Sequence, residues 1–140
     1  MSHQVEDTNR RMLRARDAMD RDYARPLDIP ALARIAYVSE AHFIRTFRAT
    51  FGETPHRYLQ RRRIERAMAL LRTTRDPIVD VAIAVGFTSH GTFSRTFREI
   101  VGDSPTGYRR SKPVVAGPVC IQKAWLRPGS FGEARKLEAS

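Results

Sequence analysis

The chain has 140 residues, 41% of them hydrophobic, with 25 basic and 15 acidic side chains for a formal net charge of +10. That length holds one small domain or two very small ones around a modest core, and the charge favours a polyanion: DNA, RNA or an anionic membrane surface. A single cysteine, Cys120, excludes an internal disulfide framework and a multi-cysteine zinc site; no apolar run approaches the ~20 residues of a membrane span, and the first residues carry no apolar signal core, so a cytoplasmic protein is expected.

The reading is helical through residue 111. Met12, Ala15, Met19 and Tyr23 recur at helical spacing and predict a first helix over about 7–22. Arg25-Pro26-Leu27-Asp28 breaks it, and Asp28 or a neighbour caps a short helix carrying Ile29, Leu32, Ala33 and Ala36. Tyr37-Val38 turns the chain. Ser39 is the expected N-cap of the next helix, with Phe43, Phe47 and Phe51 inward and Gly52 as its stop. Thr54-Pro55, a capping hydroxyl followed by Pro at the first helical position, starts a long helix to about Arg72. Its apolar stripe is Ile64, Ala67, Met68 and Leu71; Arg61, Arg62, Arg63 and Arg66 are expected on the opposite face. After Asp76-Pro77 a second short helix carries Ile78, Val81, Ala82 and Val85, and Gly86-Phe87-Thr88 turns the chain. Ser89 caps a helix with Phe93, Phe97 and Ile100 inward, Gly102 stops it, and Pro105 opens a last helix to about Ser111. From Pro113 the chain is punctuated by Pro and Gly around short apolar islands, Val119 to Ile121 and Trp125-Leu126, and reads as an irregular C-terminal extension over 113–140.

Two of these segments are copies. Ser39, Phe43, Arg45-Thr46-Phe47-Arg48, Gly52, Pro55 and Tyr58 recur 50 positions later as Ser89, Phe93, Arg95-Thr96-Phe97-Arg98, Gly102, Pro105 and Tyr108. A repeat at fixed spacing means one structural unit used twice. The preceding short helices match at an offset of 49, so the second turn is one residue longer. Each unit is a helix, a tight turn and a second helix, the helix-turn-helix whose second helix enters a major groove. Ala33 and Ala82 are small where the two helices would cross. Gly86 supplies the unusual φ of the turn, and Tyr37 stands in its place in the first copy. The fold class is all-α: two helix-turn-helix subdomains, homeodomain-like, joined by a long central helix. The units run 24–58 and 76–111, with the connecting helix over 55–72.

The stretch Val81-Ala82, Gly86-Phe87-Thr88-Ser89, Phe93 to Arg98, Gly102, Pro105 and Tyr108-Arg109 resembles the signature of AraC/XylS-type bacterial transcription regulators. Residues 7–111 resemble their paired helix-turn-helix DNA-binding domain, in the stand-alone MarA-type layout with an added tail. The resemblance implies a sequence-specific regulator, an activator, which binds promoter DNA as a monomer, contacts RNA polymerase and associates with the nucleoid. Helix length agrees: eighteen residues span ~27 Å, against the ~34 Å between successive major-groove faces on one side of a duplex.

The resemblance places base reading at Ala41, Ile44 and Arg45, and by repetition at His90, Gly91, Ser94 and Arg95. An arginine fork pairs bidentately with guanine; Ala41 and Ile44 offer only apolar contact. His90 also reads as a cap or surface group, and Gly91 as either a point of close backbone approach or drift. Backbone contacts are expected from Ser39, Arg48, Ser89, Thr92 and Arg98, and at the helix starts from His56, Arg57, Thr106 and Arg109, since free N–H groups there bind phosphate. Arg61, Arg62 and Arg63 are candidates for phosphate contact or for a solvated helix face. The arginine bias itself (only Lys112, Lys123 and Lys136 are lysine) fits nucleic-acid recognition and also a G·C-rich genome. No metal or cofactor site is predicted and no enzyme is expected: a DNA-repair alkyl acceptor would need an activated thiolate, and Cys120 stands alone. A non-specific architectural nucleic-acid-binding protein is the alternative that charge alone permits.

Overall fold

The computed structural model describes residues 2–111. Cys120 and the apolar islands of the expected tail lie outside the described residues. Within them the chain is all helical: α1 Ser2–Arg21, α2 Ile29–Ala36, α3 Glu40–Phe51, α4 Pro55–Thr73, α5 Ile78–Ala84, α6 His90–Val101 and α7 Pro105–Ser111. Two compact units divide between Gln60 and Arg61, inside α4. The first helix begins five residues earlier than its apolar pattern predicts. Within the expected span Asp7 pairs with Arg11 at 2.8 Å, a favourable i,i+4 order on the helix.

The helix ends are copied along with the core. Ser39 Oγ accepts from the His42 N–H (3.2 Å) and Ser89 Oγ from the Thr92 N–H (3.3 Å). Gly52 and Gly102 close α3 and α6 in left-handed conformation, at φ +80° and +92°. Thr54 Oγ1 accepts from the Arg57 N–H and Ser104 Oγ from the Gly107 N–H. Each such cap contributes ~1 kcal/mol and fixes where its helix begins.

In the first unit Met12, Ala15 and Met19 of α1, Leu32, Ala33 and Ala36 of α2, Phe43 and Phe47 of α3, and Tyr58 and Leu59 of α4 form one core. Phe47 centres it, with ring centroids 5.6 Å from Phe43, 4.7 Å from Phe51 and 5.7 Å from Tyr58. The Tyr58 hydroxyl donates to Asp20 Oδ1 at 2.7 Å. The second unit repeats the aromatic chain: Phe97 lies 5.7 Å from Phe93 and 5.6 Å from Tyr108, and Phe87 lies 5.3 Å from Phe93. Fully burying one such ring stabilises by about 1.5–3 kcal/mol.

The duplication reaches further back than the sequence pattern disclosed. Met12, Ala15 and Met19 of α1 match Ile64, Ala67 and Leu71 of α4 at an offset of 52, and all six are fully buried. The later part of α4 therefore stands to its unit as α1 does to the first. The outer faces differ. Asn9, Arg10 and Leu13 of α1 are exposed, whereas Arg61, Arg62 and Glu65 at the matched positions of α4 are buried.

Candidate nucleic-acid interface

With Phe43 and Phe47 buried, the helical period turns Glu40, Ala41, Ile44, Arg45 and Arg48 outward, and all five are exposed. On α6 the buried residues are Phe93, Thr96, Phe97 and Ile100, and His90, Gly91, Arg95 and Arg98 are exposed. Ser94 and Thr92 are half-buried. Ser94, Arg95, Arg98 and Glu99 line a shallow depression of 390 Å³. Arg45 and Arg95 thus sit at the same place on their helices, two residues past a core phenylalanine and clear of the core. The Ser39 and Ser89 oxygens are engaged as caps, which leaves each hydroxyl its own proton to donate. A Cβ added at Gly91 would meet only Ser89 Oγ, at 3.7 Å. Nothing inside the described chain therefore demands glycine there.

His56, Arg57 and Thr106 are exposed at the starts of α4 and α7. Arg109 is not available in the same way. Its Nε donates to the Leu71 carbonyl at 3.2 Å, and its Nη2 is buried. It ties α7 to the end of α4, where late helical carbonyls lack intrahelical partners.

The arginine run of α4 is a second correction. Arg62 donates from Nη1 to Glu65 Oε1 at 2.7 Å and Arg61 from Nη1 to Oε2 at 3.2 Å; the three residues are 2%, 9% and 1% exposed, respectively Arg62, Arg61 and Glu65. Neither arginine lies on a solvated face. Arg63 is half-buried with its guanidinium 6.0 Å from the Phe87 ring centroid, and burial holds its ionisation below the ordinary value. The sequence does hold the signal: a glutamate three and four residues after paired arginines is the i,i+3/i,i+4 pattern of a charge cluster. Its burial is invisible without the fold.

Sequence reading also passes over Tyr37 as anything but an atypical turn residue. Its backbone is left-handed, φ 58° and ψ 43°, and the residue is 72% exposed. Arg11 and Arg14 of α1 hold it, the first by its carbonyl and the second by its ring.

A family model described as a helix-turn-helix domain matches residues 32–111. The chain belongs to the AraC/XylS family of helix-turn-helix transcriptional regulators. It is 36% identical over 71 residues to the regulatory protein SoxS of Salmonella typhimurium, a match covering 51% of this chain and 66% of SoxS. It is 32% identical over 62 residues to the transcriptional regulator MtrA of Neisseria gonorrhoeae, covering 44% of this chain and 21% of MtrA. This chain thus spans less than two thirds of the length of either relative. Among solved structures, the C-terminal domain of AraT, a response regulator from Geobacillus stearothermophilus, superposes with a TM-score of 0.72 at 28% identity, over 75% of this chain and 88% of that one. The DNA-binding domain of AdpA, solved in complex with a target DNA, superposes with a TM-score of 0.63 at 33% identity, over 67% and 84%. No helix among the described residues is long and apolar enough to cross a membrane, and none of those residues form a group of three or more His, Cys, Asp or Glu that could hold a metal ion.

Proposed function

We propose that this family member is a sequence-specific regulator that lays α3 and α6 into successive major grooves of promoter DNA. The observation that carries the reading is the matched pair Arg45 and Arg95. Each is exposed on a helix whose register is fixed by a serine cap, two buried phenylalanines and a left-handed glycine stop. Such pre-positioned forks suit guanine edges. Ala41 and Ile44 add apolar contact on the first helix; His90, Gly91 and Ser94 complete the second. Arg48, Arg98, Ser39, Ser89, Thr92, His56, Arg57 and Thr106 contact the backbone. The AdpA domain, which has this fold, was solved on its target DNA, and that supports DNA as the partner here.

Two unlike heads on one chain remove the need for a dimer: a monomer reads two half-sites in fixed order. Activation through contact with RNA polymerase, in the cytoplasm and on the nucleoid, completes the proposal. The test is selection of bound duplexes from a random library, followed by competition with unrelated DNA at moderate salt. A selected duplex should resist competition by at least a thousandfold excess, the order of a specific-to-non-specific ratio. Equal collapse of binding to all sequences as salt rises would mark a non-specific architectural protein instead.

A further inference from the structure

The tight turn of a helix-turn-helix needs one left-handed residue. In the second unit Gly86 takes it at φ 104°, where a residue without a Cβ meets no steric penalty. In the first unit Tyr37 takes it at φ 58°, the one non-glycine residue with positive φ among the described residues, although a β-carbon makes that conformation unfavourable. Burial in the core does not offset this, because the residue stands 72% exposed. The second unit does the opposite with its aromatic: Phe87, next to its turn glycine, is buried.

α1 secures the tyrosine where it stands. Asp7, Arg11 and Arg14 share one face of that helix at i, i+4 and i+7. Arg11 pairs through Nε with Asp7 and donates from Nη1 to the Tyr37 carbonyl, both at 2.8 Å. The Arg14 guanidinium lies over the Tyr37 ring, 5.4 Å from its centroid, so cation and ring orient each other. Arg14 is itself exposed and makes no ion pair among the described residues. A solvent-facing phenol on a left-handed residue, beside a guanidinium without an ion pair among the described residues and two residues before the cap of α3, is an arrangement an anion would use.

We infer that Tyr37 and Arg14 form a second DNA contact of the first reading head, donating from the phenol and the guanidinium to phosphate oxygens on the strand that borders the groove entered by α3. The inference rests on the reading of α3 as a recognition helix. It makes the two heads unequal: the first grips the backbone through a helix, α1, that lies outside its helix-turn-helix, and the second has only Gly86, without a side chain, at the position matching Tyr37.

The decisive variant is Tyr37→Gly, which restores the residue the turn prefers. Its affinity, with that of Arg14→Ala, is measured by fluorescence anisotropy across a salt series, on a duplex selected by the wild-type protein and on an unrelated duplex. Tyr37→Gly should melt no lower than wild type yet bind both duplexes roughly three- to tenfold more weakly, the effect of one lost hydrogen bond. Arg14→Ala should weaken both by a similar factor and reduce the salt slope by about one. If Tyr37→Gly proves poorly folded, Arg14→Ala alone decides. Wild-type affinity in these variants, while the wild type still prefers its selected duplex, would overturn the contact, and so would a loss confined to the selected duplex. A wild type that does not discriminate between the duplexes would instead overturn the reading of α3 itself, and this inference with it.

Discussion

The two units share a core and differ in how they treat polar groups. Both stack two phenylalanines and a tyrosine at nearly equal spacing, 5.6 and 5.7 Å in the first and 5.7 and 5.6 Å in the second. At the end of that stack they part. Tyr58 donates to Asp20, but Tyr108 has no hydrogen-bond partner for its buried hydroxyl among the described residues. The residue matched to Asp20, 52 positions on, is Arg72, a donor where an acceptor is needed. The short helices differ as well: Asp28 caps α2 by accepting from the Ala31 N–H at 2.9 Å, whereas Pro77 gives α5 no side-chain cap. The two units share their apolar packing but not its polar satisfaction, which fits the larger tolerance of a shape-defined core compared with a hydrogen bond that needs both partners.

The largest expected effect lies where the units differ most, on the outer faces of α1 and α4. Glu65→Ala would leave the buried Arg61 and Arg62 without their carboxylate, and we expect a loss of about 3–5 kcal/mol in chemical denaturation. The matched change in the first unit, Leu13→Ala on an exposed face, should cost less than about 1 kcal/mol. Similar losses from the two changes would mean that the Arg–Glu cluster is not held away from solvent.

The tyrosines sharpen the contrast. Tyr58→Phe removes a hydrogen bond to a carboxylate and should cost about 1–2 kcal/mol. Tyr108→Phe removes an unpartnered buried hydroxyl and should be neutral or stabilising by up to about 1 kcal/mol. The pH dependence carries the same asymmetry. Burial raises the Tyr108 ionisation above its ordinary value, partly opposed by the Arg72 charge. Above about pH 10 the unfolded chain therefore releases a proton that the folded chain keeps, and stability falls as pH rises. Tyr108→Phe should lessen that alkaline loss; denaturant midpoints at neutral and alkaline pH for wild type and variant measure it.

The smallest effect concerns Gly91. With only Ser89 Oγ at 3.7 Å from a new Cβ, Gly91→Ala should stabilise α6 by up to about 1 kcal/mol. If DNA affinity falls in the same variant, the glycine serves close approach to the duplex; if affinity holds, the residue is drift.

What could be read from the sequence followed from periodicity and caps. The Phe43–Phe47 and Phe93–Phe97 spacing, Ser39 and Ser89, and Gly52 and Gly102 are local signals, and the helices they define fall where they were placed. The left-handed turn at Tyr37 was legible too, because the repeat set it against Gly86. The face of α4 was not legible. Four arginines on an amphipathic pattern look solvated, and only tertiary packing turns Arg61 and Arg62 inward onto Glu65. The tie made by Arg109 was not legible for a related reason: its partner, the Leu71 carbonyl, is 38 residues away in sequence. The outward set on α3 and α6 followed from the buried phenylalanines, although which of those residues touch DNA is a question of contact rather than of fold.

That question is put most directly by Arg45→Ala and Arg95→Ala, each titrated against the duplex selected by the wild-type protein and against single-base variants of it. Each change should lower affinity for the selected duplex by about 1–3 kcal/mol and relax preference at one base position, a different one for each head. Affinity and preference unchanged in both would contradict the register of the recognition helices and the account built on it.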